Sequence, residues 1–144
     1  MSGSQHLITR SEEETSAAGE RLASSLRAGD VVLLFGELGA GKTAFVRGLA
    51  RGLGAPPGEV SSPTFTLIQE YTGGPVTLYH VDLYRLEPVE VEDLGLDELI
   101  TQSGIVAIEW ADRWPARPDD VFEVRLEQEG HDSRRITIRP RLDA

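Results

Sequence analysis

Residues 31 to 43 read VVLLFGELGAGKT, beginning at Val31 and ending at Thr43. The first five residues, Val31–Phe35, are all apolar, which is typical of a strand covered on both faces within a parallel sheet. A glycine-rich turn follows. Apolar residues then recur at helical spacing, and Gly54 closes the predicted helix. These apolar residues are Phe45, Val46, Leu49, Ala50 and Leu53. The stretch therefore predicts a buried strand, a tight turn and an amphipathic helix, in that order.

The turn, Gly36–Thr43, has the spacing Gly-x4-Gly-Lys-Thr of a phosphate-binding loop, the Walker A pattern. Glycines allow backbone N–H groups to come close to phosphate oxygens, and the positive end of the following helix points at them. Lys42 supplies a compact cation to the β- and γ-phosphates, and the Thr43 hydroxyl can ligate Mg²⁺. The alternative is a chance match, expected about once in a thousand for this composition. Lys42 is the only lysine beside 13 arginines, and an arginine fork fits such a loop poorly.

Composition bounds the remaining classes of function. The 144 residues suffice for one domain with one core, spanning 1–144. A formal charge of −10 argues against a protein that grips a nucleic-acid backbone directly. The chain has no cysteine, which excludes disulfides, thiol catalysis and cysteine-ligated metal sites. No apolar run is long enough to cross a bilayer, and residues 1–6 lack the pattern of a signal peptide. We therefore expect a single acidic domain in the cytoplasm, with no membrane contact.

Helix signals occur on both sides of the central stretch. Ser11 and Glu14 have capping-box spacing and predict the start of a first helix, with Gly29 as its stop. Its inward face is expected to carry Ala18, Leu22 and Leu26. Gly48 and Gly52 weaken the second helix by about 1 kcal/mol each relative to alanine, so its bounds are less well defined.

Two hairpins and a second buried strand are predicted beyond residue 55. Phe65–Tyr71 and Val76–Leu83 flank a Thr-Gly-Gly-Pro turn, and short helical turns are expected between Val89 and Gln102. Gly104–Ile108 is apolar throughout and precedes Glu109. Alternating apolar residues then predict a terminal hairpin with one solvated face: Phe122, Val124, Leu126, Ile136 and Ile138. The predicted fold class is α/β, a P-loop NTPase-like sandwich with a mixed parallel and antiparallel sheet flanked by helices.

Two acids that end strands are candidates to complete the phosphate site. Glu109 ends the buried strand, and such a strand delivers an acid at its carboxyl end to the ligand crevice. Glu109 is therefore the first choice for a magnesium ligand, with an exposed strand-end acid as the alternative. Asp82 ends a half-solvated strand and is expected to orient water or support the metal, or else to form a turn. Both acids are expected to face a solvated crevice.

Other residues near these acids keep two interpretations each. His80 shares the strand parity of Asp82 and either touches the site or makes a structural hydrogen bond. Arg85 forms an ion pair with either a phosphate or a neighbouring acid. Trp110 either stacks on a ligand or fills the core. Trp114 is interpreted as structural. The segment Ser61–Phe65 is either a switch that senses the γ-phosphate or a plain loop that enters a strand.

Five segments together resemble one family in their order and spacing: Gly36–Thr43; Ser62-Pro63-Thr64-Phe65-Thr66 with Tyr71; His80-x-Asp82-x-Tyr84-Arg85; Gly95-Leu96-Asp97-Glu98; and Glu109-Trp110. With them the chain resembles the TsaE (YjeE) family, the small ATPases of bacterial tRNA threonylcarbamoyladenosine biosynthesis. The resemblance extends from the helix at Ser11 to the terminal hairpin. Walker A alone is unspecific, whereas the whole set is highly specific.

The resemblance implies a role for each matching residue. The loop would wrap the phosphates of ATP through Glu37, Leu38, Gly39, Ala40, Gly41, Lys42 and Thr43. Thr43 and Glu109 would hold Mg²⁺, Asp82 would serve hydrolysis, and Ser62–Thr66 would be the switch-like stretch. The resemblance further implies an accessory ATPase that acts on the TsaD–TsaB complex during threonylcarbamoylation of adenosine 37 in tRNA. The partner would handle tRNA, which agrees with the acidic charge of this chain.

Three other functions compete with this interpretation. A small P-loop metabolite kinase is the main alternative, although no arginine-rich lid or acceptor region is evident. A GTPase is disfavoured, because the base-reading motif Asn/Thr-Lys-x-Asp needs a second lysine beside Lys42. A nucleotide-binding module without hydrolysis would follow if Asp82 and Glu109 lay outside the site.

Overall fold

The computed structural model describes residues 4–37, 39–55, 60–61, 68–100 and 104–142. In chain order its elements are β1 (Gln5–Thr9), α1 (Glu12–Ala23), β2 (Val31–Gly36), α2 (Lys42–Gly52), β3 (Val60–Ser61), β4 (Ile68–Tyr71), β5 (Leu78–Asp82), α3 (Pro88–Glu92), α4 (Leu96–Ile100), β6 (Ile105–Glu109), a 3-10 helix (Ala111–Arg113), β7 (Phe122–Glu129) and β8 (Ser133–Arg139). Within these ranges, no helix is long and apolar enough to cross a membrane.

The strands that the described residues form join into one eight-stranded mixed sheet, in the order β1-β8-β7-β2-β6-β5-β4-β3. Strand β2 pairs in parallel with both β6 and β7, and β5 pairs in parallel with β6. The outer strands β1, β8, β4 and β3 pair antiparallel with their neighbours. The predicted α/β fold with a mixed sheet is therefore confirmed.

Helices cover both faces of the central strands, which explains why every residue of β2 and β6 before the last one is apolar. On one face, α1 and α2 pack against one set of alternate residues, among them Leu34, Ile105 and Ala107. On the other face, α3, α4 and the 3-10 helix pack against the remaining set, among them Leu33 and Ile108. Because alternate residues of a strand point to opposite faces, each central strand contributes to both core layers.

Close contact between α1 and α2 explains why glycines occur within these two helices despite their low helix propensity. A Cβ atom at Gly48 would lie 1.8 Å from the Ser16 carbonyl oxygen, and one at Gly52 would lie 2.6 Å from the Ala23 Cβ. At Gly19 an added Cβ would lie 2.1 Å from the Phe45 carbonyl oxygen. The two backbones therefore touch, and this contact sets the position of α2, whose first residues belong to the predicted phosphate loop.

The first helix begins as predicted but ends earlier. Ser11 caps its start, since the Ser11 hydroxyl accepts a hydrogen bond from the Glu14 N–H at 3.0 Å. The helix ends at Ala23 rather than near Gly29, because the Ser24 hydroxyl donates to the Arg21 carbonyl at 2.8 Å and closes the last turn. Leu26 consequently lies outside the helix, although it still packs against the core. Strand β1 was not predicted.

The remaining element predictions are confirmed where the residues are described. Strands β4 and β5 form the first hairpin, and β7 and β8 form the terminal one, with its predicted apolar residues buried. The helical turns expected after Val89 are α3 and α4. The predicted strand start at Phe65 lies outside the described residues, as does most of the segment Ser61–Phe65.

Candidate functional site

The predicted phosphate loop joins the end of β2 to the start of α2. Gly41 is the N-cap of α2 with φ 104°, a left-handed conformation that glycine adopts without strain. At Gly36 an added Cβ would lie 2.5 Å from the Leu126 carbonyl oxygen, so only glycine fits there. No side-chain cap is bonded to the start of α2 in the described residues, and its first turn contains no acidic residue. This arrangement leaves a helix start suited to an anion.

The other loop residues are placed as follows. Glu37 and Gly39 are exposed, and Ala40 is buried with its N–H donating to the Glu37 carbonyl at 3.0 Å. Leu38 lies outside the described residues. Arg134 on β8 donates to the Gly39 carbonyl at 3.3 Å. The terminal hairpin thus contacts the phosphate loop, and no local sequence pattern predicts this contact.

Lys42 is almost fully buried at the centre of the site, with 4% of its surface exposed. Its ammonium donates hydrogen bonds to the Gly36 carbonyl at 2.5 Å and to the Glu37 carbonyl at 2.9 Å. The same nitrogen lies 4.3 Å from the centre of the Trp110 ring. Burial lowers the pKa of Lys42, and nearby carboxylates oppose this effect: Glu109, Asp82, Asp112 and Glu37.

Glu109 reaches the start of α2 from the end of β6. Its Oε2 atom accepts a hydrogen bond from the Thr43 hydroxyl at 3.3 Å and lies 2.5 Å from the His80 Nε2 atom. The Glu109 side chain is only 5% exposed, so the expectation that it faces a solvated crevice was wrong. The reason is that β5, β6 and α2 surround it, which the sequence of β6 alone does not reveal.

Asp82 is placed directly beside Glu109 by the parallel pairing of β5 and β6, in which these two residues are register partners. Unlike Glu109, Asp82 is exposed. Its Oδ1 atom accepts a hydrogen bond from the Tyr84 N–H at 3.0 Å, which orients the carboxylate within a turn. The structure thus brings together Lys42, Thr43, Glu109 and Asp82. The two acids are neighbours, but Glu109 is buried and Asp82 is exposed.

An aromatic cluster borders the site beyond β6. Trp110 has a left-handed backbone at φ 60°, uncommon for a bulky residue, and its ring lies 4.9 Å from that of Tyr84. The Arg113 guanidinium lies 5.7 Å from the Trp110 ring. Neither the contact of Tyr84 with Trp110 nor the presence of Asp112 near Lys42 was predicted from the sequence. The motif His80–Arg85 ends beside this cluster and was the one available signal.

The structure places the residues with two interpretations as follows. His80 contacts Glu109 and is buried, so it belongs to the site's surroundings. Trp110 is partly buried over Lys42, Trp114 is buried as predicted, and Arg85 is exposed. The switch-like stretch Ser62–Thr66 lies outside the described residues.

The donor atoms at the site suit Mg²⁺. Thr43 and Glu109 present a hydroxyl and a carboxylate oxygen, which are hard oxygen donors, within contact of each other. Among the described residues, no group of three or more His, Cys, Asp or Glu side chains converges as a cage for a metal. Mg²⁺ is usually held by one or two protein groups together with substrate phosphates and waters. The residues present therefore fit an ion that arrives with a nucleotide.

Known proteins are similar to this chain over most of its length. The family model described as "Threonylcarbamoyl adenosine biosynthesis protein TsaE" matches residues 9–136. A tRNA threonylcarbamoyladenosine biosynthesis protein TsaE from Nostoc sp. is 48% identical over 135 residues, covering 90% of this chain and 82% of the relative. The protein of the same name from Bacillus subtilis is 45% identical over 131 residues, with the same two coverages.

A solved structure shows the same fold. The crystal structure of YdiB from Bacillus subtilis matches with a TM-score of 0.79 and 35% sequence identity. The match covers 99% of this chain and 89% of YdiB. The resemblance inferred from the sequence motifs is therefore confirmed: the chain belongs to the TsaE family, whose named members are tRNA threonylcarbamoyladenosine biosynthesis proteins.

Proposed function

We propose that this protein binds ATP with Mg²⁺ and hydrolyses it as an accessory subunit of the TsaD–TsaB complex. In this role it supports the threonylcarbamoylation of adenosine 37 in tRNA and works in the cytoplasm. The observation that carries the proposal is the contact between Thr43 and Glu109 at 3.3 Å, beside the buried ammonium of Lys42. A Walker A loop, a cation and an acid from a neighbouring strand are the parts that P-loop ATPases use.

Lys42 is suited to bind the β- and γ-phosphates. Its ammonium is held by two backbone carbonyls of the loop, those of Gly36 and Glu37. These acceptors are neutral, whereas a phosphate oxygen carries negative charge and forms a stronger hydrogen bond with an ammonium. Because Lys42 is already buried, it has little water left to lose when ATP binds. Backbone N–H groups between Glu37 and Thr43 would bind the remaining phosphate oxygens.

The two acids are suited to different tasks. Thr43 and Glu109 would hold Mg²⁺, which when bound neutralises the charge of the phosphate oxygens. Asp82 is exposed beside Glu109, so its carboxylate can accept a hydrogen bond from the attacking water. Its hydrogen bond from the Tyr84 N–H holds it in one orientation. We therefore assign Asp82 to hydrolysis, with Lys42 and Glu109 supporting the transition state through charge.

The partner would be a protein rather than RNA. A formal charge of −10 disfavours direct contact with a tRNA backbone. Hydrolysis by the isolated chain should be slow, since no arginine finger in cis is evident from the sequence. Addition of the TsaD–TsaB complex should raise turnover or form an assembly that depends on the nucleotide, and ATP should be preferred to GTP.

A comparison of wild type with Lys42→Ala tests the nucleotide site. Ligand at a hundredfold excess over Kd stabilises the native state by about 2.7 kcal/mol, which raises Tm by roughly 8–11 °C for a domain of this size. Lys42→Ala should abolish this shift. Arg51→Ala, an exposed change on the same helix, serves as the control. An undiminished shift in Lys42→Ala would remove the loop from the proposal.

The products of the reaction test its class. Release of ADP and inorganic phosphate supports an ATPase, whereas transfer of phosphate to an added metabolite supports the alternative, a small P-loop kinase. If verified active TsaD–TsaB neither raises turnover nor assembles with the chain in the presence of ATP, the accessory role is refuted.

A further inference from the structure

His80 and Glu109 form a buried pair that the proposed hydrolysis does not use directly. The His80 Nε2 atom lies 2.5 Å from the Glu109 Oε2 atom, and the two side chains are 7% and 5% exposed. A carboxylate only accepts hydrogen bonds, so Nε2 carries the proton that is donated. At such low exposure, water does not compete with this hydrogen bond.

The sheet places the two residues on the face that carries α2. Ala107 is the register partner of His80, and Glu109 that of Asp82, so His80 and Glu109 are diagonal neighbours on adjacent parallel strands. Side chains at alternate positions of a strand share a face. His80 therefore points to the same side as Leu78, which packs in the core layer under α1 and α2.

The polar contact of His80 is directed at Glu109. The other ring nitrogen, Nδ1, is buried and has no hydrogen-bond partner among the described residues. The Tyr71 ring lies 6.4 Å from the imidazole ring and forms one side of its surroundings. This ring therefore bonds the acid that contacts Thr43.

We propose that His80 is a positioning residue that holds the Glu109 carboxylate against Thr43, ready to hold Mg²⁺. This inference rests on the proposed function, because it concerns the same site. A glutamate side chain has several rotatable bonds, and the hydrogen bond from His80 limits the orientations of its carboxylate. Groups that orient a metal ligand typically contribute a factor of 10–100 to metal affinity.

A titration of Mg²⁺ against ATP binding tests the proposal by calorimetry. His80→Phe retains the ring volume and removes the donor, whereas His80→Gln retains an N–H donor. In His80→Phe, the Mg²⁺ concentration for half-maximal ATP binding should rise by roughly tenfold or more, and in His80→Gln by no more than about threefold. ATP binding in EDTA should be the same for all variants. An unchanged Mg²⁺ requirement in His80→Phe would overturn the proposal.

Leu78→Val is the matched control, since Leu78 is buried on the same strand and the same face. It reduces packing without touching Glu109, so its Mg²⁺ requirement should equal that of wild type. An equal shift in Leu78→Val and His80→Phe would assign the effect to strand packing and overturn the role of His80. Should His80→Phe fail to fold, His80→Leu replaces it in the titration and in the cycle below.

A double-mutant cycle separates this proposal from the proposed function. His80→Phe, Glu109→Ala and the double variant are unfolded by urea in EDTA without nucleotide. If His80 holds Glu109, the effects are non-additive by at least about fivefold in the equilibrium constant for unfolding, as for residues in contact. Additive effects would overturn the positioning role. A wild type that binds ATP without any dependence on Mg²⁺ would instead refute the proposed function, and the cycle would still decide the role of His80.

Discussion

Replacement of Glu109 by alanine should impair both the fold and the site, because this acid is buried. Only 4% of the residue is exposed, and Oε2 is contacted by the Thr43 hydroxyl and by His80. Truncation leaves the His80 N–H buried without its acceptor, which destabilises by about 1–3 kcal/mol. Loss of the buried side-chain methylene adds about 0.8 kcal/mol. The expected loss of stability is therefore about 2–4 kcal/mol, which lowers Tm by roughly 6–16 °C for a domain of this size.

Replacement of Asp82 by alanine should behave differently, although Asp82 is the register partner of Glu109. Asp82 is exposed, and its one described hydrogen bond is from the Tyr84 N–H. Loss of such a hydrogen bond destabilises by about 0.5–1.5 kcal/mol. The effect on hydrolysis should be larger, since a positioned general base contributes typically about 10²–10⁴-fold to the rate.

Thermal unfolding without nucleotide measures the difference in stability between the two variants. A titration of Mg²⁺ against ATP binding measures the difference in their Mg²⁺ dependence. Glu109→Ala should raise KM and lower kcat, whereas Asp82→Ala should lower kcat with little change in KM. Glu109→Gln is the control that keeps the side-chain volume and an acceptor oxygen but removes the charge. Glu109→Gln should have a Tm close to that of wild type, but its ATP binding should lack the Mg²⁺ dependence of wild type, as in Glu109→Ala. If Asp82→Ala lost the Mg²⁺ dependence while Glu109→Ala kept it, the assignment of the two acids would be reversed.

Two further predictions follow from packing and charge. Gly48→Ala should destabilise the protein by about 2 kcal/mol net, because steric overlap with the Ser16 carbonyl outweighs the gain in helix propensity. Thermal unfolding measures this loss. Arg51→Ala, an exposed change on the same helix, is the control and should leave the Tm nearly unchanged. The affinity for ATP should fall with rising pH at a pH below 10.5, the ordinary pKa of lysine, because burial lowers the pKa of Lys42 and phosphate binding needs the ammonium. The affinity is complete below the lowered pKa and is lost as the pH rises through it. Calorimetry of ATP binding across the alkaline range checks this, and an affinity that stays constant up to pH 10.5 would contradict it.

The same pKa shift has a consequence for the stability of the unliganded protein. The unfolded chain keeps the Lys42 proton up to the ordinary pKa of 10.5, whereas the folded protein releases it at lower pH. Between these two values the unfolded state binds more protons, so this group makes the native state more stable as the pH rises. ATP affinity and intrinsic stability should therefore respond in opposite directions over this range of pH.

Local patterns were sufficient to predict the phosphate loop and most of the sheet. The motif Gly36–Thr43 is contiguous, and its glycines, lysine and threonine act through backbone geometry that a few neighbouring residues set. Strand β6 and the terminal hairpin were recognised because apolar runs and alternation report burial of a face directly. The fold class followed from these elements, and the family motifs identified the relatives that the comparisons confirmed.

The environment of Glu109 came from the tertiary structure. His80 and Glu109 are 29 positions apart and meet only because β5 pairs with β6 in one particular register. A shift of one residue would turn His80 to the other face, and nothing within β5 specifies that register. For the same reason, the sequence predicted two solvated acids, whereas α2 and β5 enclose Glu109 and leave Asp82 exposed.

The structural role of Gly48 likewise depends on a distant segment of the chain. Within α2 alone, glycine lowers helix propensity, and that is all that a local pattern can report. Only the approach of Ser16 on α1 makes a side chain at position 48 destabilising. The end of α1 at Ala23 is a local event that the apolar spacing obscured, because Leu26 packs against the same core from outside the helix. Periodicity shows which residues are buried, whereas the partners that bury them are determined by the packing of the whole chain.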